Sequence, residues 1–250
     1  MLKIGARTST LQLQLSQNKQ VKVIALVTAT NFDAPLGPTV PTAWSLLPAP
    51  KPVPDFSRIK NCQSDAYWLP THLSGEILDV TKRLLFLHPR GGHRVDGICD
   101  AWSGCIGCPD ERMDATYLAL MTDNIPSMSD TLLRNGGLYD AHRLFAEMEK
   151  WAEGHPGVPA PMTNSVTEAM QAMTHNQTVV LDIEFKWCVP KEGLEWVFTR
   201  TATKMLHEGR MDLDITICNA EMELICTAHQ IVMVLEAQRK FRRKKPEASM

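Results

Sequence analysis

Between Thr178 and Val234 four segments in succession alternate apolar and polar side chains: Thr178–Phe185, Leu194–Thr203, Arg210–Cys218 and Met222–Val234. In the third, Met211, Leu213, Ile215 and Ile217 point one way, and Arg210, Asp212, Asp214 and Thr216 point the other. A repeat of two is the signature of a strand with one buried face. The joints have turn chemistry, Glu208-Gly209 before the third run and Asn219-Ala220-Glu221 after it. The C-terminal third is therefore an antiparallel meander, and its inward face needs a partner to cover it.

A chain of 250 residues can build such a partner itself. Upstream, residues 110–122 read as a helix. Asp110 or Pro109 starts it, acidic Asp110, Glu111 and Asp114 lie in its first turn, and Met113, Tyr117, Leu120 and Met121 share one face. Pro126 ends it just after Asp123. A second helix is predicted over Tyr139–Trp151, and Thr163–Thr174 reads equally well as helix or strand. Further upstream, Thr8–Leu15 and Val21–Thr30 form a hairpin turning at Gln17–Gln20. Two strands alone cannot bury an apolar face in water. Seven prolines from Pro35 to Pro54 mark an extended linker. Residues 55–110 show no clear period beyond a possible strand in Glu76–Leu87. A helix followed by a curving antiparallel sheet is an α+β order.

Bulk properties exclude several functions. A net charge of −2 gives no electrostatic case for nucleic acid or an anionic membrane. The one basic cluster, Arg239–Lys245, reads as a solvated tail. No apolar run reaches the roughly 20 residues needed for a membrane span. The seven cysteines are odd in number and partly embedded in strand patterns, which suits a reducing compartment. A cytoplasmic location is the expectation.

Three stretches carry a family resemblance. Thr122–Pro126, Val180–Ile183 and Leu224–Gln230 resemble landmarks of double hot-dog acyl-CoA thioesterases, enzymes similar to bacterial acyl-CoA thioesterase II. Gly209–Ile217 and His229–Leu235 resemble the fungal thioesterase-like branch found in secondary-metabolite gene clusters. The resemblance covers roughly residues 5–32 and 108–238. It implies an α+β hot-dog fold, with a complete C-terminal hot-dog and a partial N-terminal repeat. In this division residues 1–33 are the partial repeat, 34–109 a Pro-rich linker and irregular connection, 110–238 the complete hot-dog, and 239–250 a basic tail. Family members begin with a strand, a helix and a strand that have no counterpart ahead of Gly5 here. The implied function is hydrolysis of an acyl-CoA or carrier-bound acyl or polyketide thioester in fungal secondary-metabolite (mycotoxin) biosynthesis. The alternative is a catalytically weak or inactive hot-dog protein that binds such an intermediate or scaffolds pathway enzymes.

The resemblance also assigns residues. Asp123 takes the family's Asp position and Gln230 its Gln position. The Ser/Thr position falls on Val180, which has no hydroxyl, and Thr178, two residues earlier on the same strand face, is the nearest substitute. Asp123 could otherwise simply cap its loop, and Gln230 could be a structural strand residue. His229, facing away from Gln230, suits a surface or interface role, and Asp182 and Glu184 read as solvent-facing. No cofactor or metal is expected. Cys105 and Cys108 have the spacing of half a zinc knuckle, with Cys99, His88 and His93 nearby, but no matching second pair follows. An incomplete first lobe would leave apolar sheet uncovered, so a homo-oligomer is expected.

Overall fold

The computed structural model describes residues 2–236 apart from residues 6, 35–36, 107–109, 125 and 138, so the basic cluster and Cys108 lie outside it. The chain divides into two units, Met1–Ser45 and Leu46–Met250. In the first, β1 (Lys3–Ile4), β2 (Thr8–Gln17) and β3 (Gln20–Thr30) form an antiparallel sheet in the order β1-β2-β3. The β2–β3 turn is tight because Asn18 and Lys19 both adopt positive φ, 51° and 62°, as a two-residue hairpin loop requires. Leu13, Leu15, Val23 and Leu26 of this hairpin are exposed.

The second unit runs α1 (Phe56–Lys60), β4 (Trp68–Gly75), a 3-10 turn (Asp79–Arg83), β5 (Leu84–Pro89) and β6 (Ile98–Cys105). It continues through α2 (Ala115–Met121), α3 (Met128–Leu133), α4 (Ala141–Gly154), β7 (Ala160–Asn164) and α5 (Val166–Ala169). The meander follows as β8 (Thr174–Phe185), β9 (Trp196–His207), β10 (Arg210–Cys218) and β11 (Leu224–Glu236). One sheet takes all eight of these strands in the order β7-β4-β5-β6-β9-β10-β11-β8. Every pairing is antiparallel except β4 with β7. Among the described residues no helix is long and apolar enough to cross a membrane.

Residues 68–105 correct the expectation of an irregular connection over 34–109. They supply three strands, and β6 joins the meander by pairing with β9. Their period was invisible because β5 is buried along its whole length. A strand covered on both faces reads as a continuous apolar run instead of an alternation. The second half of the Pro-rich stretch is likewise no free linker. The indole of Trp68 donates to the Pro52 carbonyl at 2.6 Å, and Arg200 donates to Pro48 at 2.7 Å. Leu46, Phe56 and Ile59 pack on the outer sheet face with Trp68, Trp102, Trp196 and Phe198. Beneath them Arg200 makes a two-pronged bond to Asp100, 2.7 Å on each side, which neutralises a buried guanidinium.

The inner face wraps α2. Leu118 and Met121 of α2 and the preceding Met113 are buried against Leu213, Ile215 and Val232. A helix of seven residues is marginal alone. Packing sustains it, at about 1.5–3 kcal/mol for each fully buried side chain of this size. The helix starts later than its acidic residues suggested. Met113 is held extended by paired bonds with Leu194, and Asp114 is the cap, accepting from the backbone N–H of Thr116 and Tyr117 at 2.9 Å each. Asp114→Ala is therefore expected to lower stability by about 1 kcal/mol, read from urea unfolding midpoints. The second helix, expected over 139–151, runs Ala141–Gly154 behind an Asp140 cap. The ambiguous stretch resolves into the end of β7, α5 and the start of β8.

Candidate active site

Asp123 stands where α2 stops. Thr122 closes the helix, its hydroxyl donating to the Ala119 carbonyl at 2.7 Å, and the Asp123 N–H donates to Leu120 at 3.0 Å. With Pro126 ahead the helix cannot continue, and the Asp123 side chain is left exposed at the helix end. Gln230 lies across from it on β11, opposite Leu213 of β10 and Leu181 of β8. It belongs to the inward set with Ala228 and Val232 and is only 2% exposed.

Thr178 reaches the same place through an irregularity. From Phe185 to Val180 the residues of β8 oppose those of β11 one for one, ending at Val180 against Ile231. The next partner of β11, Val232, meets Thr178, so Val179 is an extra residue. Such a bulge turns the strand's remaining side chains to the other face. Val232 shares the face of Gln230 and Ile231 does not. Thr178 therefore points to the Gln230 side and Val180 away from it. The expectation that Thr178 and Val180 share a face is corrected, and the bulge is the cause.

The structure thus brings Asp123, Thr178 and Gln230 together in a closed triangle of hydrogen bonds. The Gln230 amide donates to Asp123 Oδ1 and to Thr178 Oγ1, the latter at 2.9 Å. The Thr178 hydroxyl donates to the same Asp123 Oδ1 at 3.4 Å. Both bonds to Asp123 converge on Oδ1. Among the described residues no hydrogen bond reaches Oδ2, which leaves one carboxylate oxygen on an exposed side chain able to accept from an incoming molecule. A buried Gln amide with both hydrogens committed fixes the positions of its two neighbours.

The other candidates lie elsewhere. His229 is on the opposite face, where its Nε2 meets Asp212 at 2.9 Å. With Asp214 these form a group compact enough for a cation, but the Lys204 ammonium sits 2.7 Å from Asp214 and 3.8 Å from Asp212 and supplies that charge itself. Glu184 is exposed and paired with Lys186 at 2.6 Å. Cys99 is buried, and burial raises its thiol pKa far above the usual range, so it is neither a ready thiolate ligand nor a nucleophile.

On the inner side of β4, β5, β6 and β9 an apolar cavity of about 230 Å³ opens beneath α4. Met121, Asn124, Pro126 and Ser127, the residues flanking Asp123, form one of its borders. Phe86, Ala101, Leu144 and Phe145 form much of the rest, along with His88 and Thr199. Burial pushes the His88 pKa down to about 3, with His93 adding to the shift, so its imidazole is neutral. The sequence reading met His88 only as a neighbour of cysteines and passed over Thr199. The signal available was an imidazole ending the apolar run Leu84–Leu87.

The family model described as the acyl-CoA thioesterase C-terminal domain matches residues 57–234. The chain belongs to this family. That match begins in α1, so it includes the strands β4–β6 that the sequence reading had left out of the hot-dog. A curated relative, the thioesterase-like protein TwmA of Talaromyces wortmannii, is 26% identical over 262 residues, covering 97% of this chain and 72% of its own length. Among solved structures, a hot-dog protein of unknown function from Alicyclobacillus acidocaldarius aligns with a TM-score of 0.60 at 13% identity, over 94% of this chain and 70% of its own. The acyl-CoA thioesterase II TesB2 of Mycobacterium marinum aligns at 0.53 and 13% identity, over 94% and 71%. These likenesses establish the fold as the hot-dog, and the family places the chain among thioester hydrolases.

Proposed function

We propose that this thioesterase-family protein hydrolyses a CoA- or carrier-bound acyl or polyketide thioester, with Asp123 as the catalytic base and Thr178 and Gln230 as its positioning residues. The observation that carries the reading is the triangle on Asp123 Oδ1, which holds the carboxylate in place and leaves Oδ2 for water. In the reaction a water bonded to Oδ2 attacks the thioester carbonyl carbon as its proton passes to Asp123. The tetrahedral intermediate then collapses with cleavage of the C–S bond, and the proton leaves with the thiol. The cavity bordered by Asn124, Pro126 and Ser127 lies beside this centre and suits the acyl portion. A place in fungal secondary metabolism, mycotoxin formation included, draws its support from the likeness to a fungal thioesterase-like protein and from the Gly209–Ile217 and His229–Leu235 stretches. Self-association is supported by the exposed apolar side chains of β2, β3 and the edge strand β8.

The reading of the chain as a non-catalytic binder drew on Val180 standing where a hydroxyl was expected. With Thr178 turned inward by the bulge, that ground is weakened. The test follows from the same geometry. Thr178→Val is expected to slow release of free thiol from an acyl-CoA by about 10–100-fold, the loss of hydrogen bonds to a charged group and an amide. Val180→Thr is expected to leave the rate within about twofold, because its hydroxyl would face away. A faster Val180→Thr enzyme alongside an unaffected Thr178→Val enzyme would reverse the assignment of the hydroxyl.

A further inference from the structure

The cavity beside Asp123 is apolar in most of its wall, yet two of the side chains that line it carry stranded polar atoms. His88 Nδ1 and Thr199 Oγ1 are buried and have no hydrogen-bond partner, and their residues are 8% and 5% exposed. They sit on neighbouring inward rows of the sheet. Thr199 is opposite Ala101, and His88 lies two residues beyond Phe86, which is opposite Ser103 on the same β6. Leaving buried polar groups unbonded is costly, and native structures rarely tolerate it without a reason.

The neighbours of His88 explain why the protein does not satisfy its ring nitrogen itself. Phe86 stacks on the His88 ring and Phe145 lies tilted against it, with centroids 6.3 Å and 5.1 Å away, and neither side chain offers an acceptor or donor. His88 is neutral, so Nδ1 can donate or accept according to its tautomer. A threonine hydroxyl does both and turns about a single bond. At roughly 30 Å³ for each water-sized group, a space of about 230 Å³ admits about seven or eight non-hydrogen atoms of a chain.

We propose that this cavity selects an oxygenated acyl group, one carrying a hydroxyl or keto oxygen along its chain, and that His88 and Thr199 are the specificity-determining residues that bond that oxygen. The inference rests on the reading that the thioester carbonyl sits at Asp123. A plain alkyl chain would fill the same space and leave both groups stranded. A site whose buried polar groups expect a substrate oxygen discriminates against analogues lacking it far more strongly than an apolar pocket can discriminate on size.

The test measures binding as well as turnover, so that it stands apart from the catalytic reading. Octanoate and octanoates hydroxylated at C3, C5 or C7 are titrated calorimetrically into the full chain, and the four matching CoA thioesters are assayed for thiol release. At least one hydroxylated acid is expected to bind about 10-fold or more tightly than octanoate, with the same preference in kcat/KM. Thr199→Val and His88→Leu are expected to reduce that preference to about twofold or less, while Thr199→Ser retains it. Thr199→Val replaces a stranded hydroxyl by a methyl of the same shape, so its unliganded Tm should be equal to or above that of the parent. Hydroxylated acids that bind selectively without hydrolysis of any thioester would uphold the pocket and refute the catalytic reading. Octanoate binding as well as every hydroxylated acid, or a preference that persists in both variants, would overturn the pocket assignment.

Discussion

Asp123→Asn is expected to cut kcat for acyl-thioester hydrolysis by about 10²–10³-fold while KM changes by less than about threefold. The asparagine is chosen because it keeps an Oδ1 acceptor for the Gln230 amide, so the triangle and the end of α2 persist. What is lost is the ability to take a proton from water, a contribution typically worth 10²–10⁴-fold in rate. A group that acts only as the reaction proceeds affects kcat and kcat/KM together, whereas a group that merely holds substrate raises KM. Gln230→Ala should produce a smaller defect, about 10–100-fold, because the carboxylate survives but loses its restraint. Combining Asp123→Asn with Thr178→Val should add little to Asp123→Asn alone, since a hydroxyl that positions a base has no role once the base is gone. Equal thiol release by the parent and Asp123→Asn enzymes would remove Asp123 from the chemistry. In that case the carboxylate would be a cap for the turn after α2, which its backbone bond to Leu120 already permits.

Which parts of this arrangement were legible in the sequence follows from how many faces each element exposes. Strand β10 alternates charged or polar residues with buried apolar ones, and that alternation made the meander readable from its turn at Glu208 and Gly209, where both residues have positive φ. Strands β4–β6 are covered on one side by α2 and α4 and on the other by α1 and Leu46, so their polar period vanished and they passed for irregular chain. The site was half legible. Asp123 and Gln230 came from a resemblance, and their approach depended on a helix end and an inward strand position that pattern alone could place. The position of Thr178 could not be placed, because a bulge is one extra residue in one strand. Counting by twos puts Thr178 on the face of Val180, whereas the extra residue sets the two on opposite faces. His88 was hidden for another reason: an imidazole is read as polar, and only packing against Phe86 and Phe145 shows it neutral in the core.

That neutrality carries a second large expectation, that the protein loses stability steeply as the pH falls from 7 to 5. Burial is the main cause that lowers His88 to about 3 and His93 to about 4; His142, 5.8 Å from His93, lowers the latter further and Asp96 acts against it. The unfolded chain takes up protons on both rings near pH 6.5, whereas the folded chain does so only near their depressed values. Between these limits the unfolded state binds more protons, so each fall in pH favours it. One such histidine costs about 1.4 kcal/mol per pH unit well below pH 6.5 and half that at pH 6.5, so two cost about 3 kcal/mol from pH 6.5 to 5. Set against a total of about 5–15 kcal/mol for a domain, that is a large share. The exposed carboxylates whose pKa values are lowered, Asp55 and Glu168 among them, respond in the same direction but only nearer their own range, so the two rings dominate this window. Urea midpoints measured at pH 7, 6 and 5 should fall in sequence for the parent chain. In His88→Leu the fall should be about half as steep, since one of the two protons is no longer taken up on unfolding. A parent whose midpoint is flat across this range, or a His88→Leu variant that tracks it, would mean that the ring is protonated in the fold and therefore hydrated, contrary to its packing between Phe86 and Phe145.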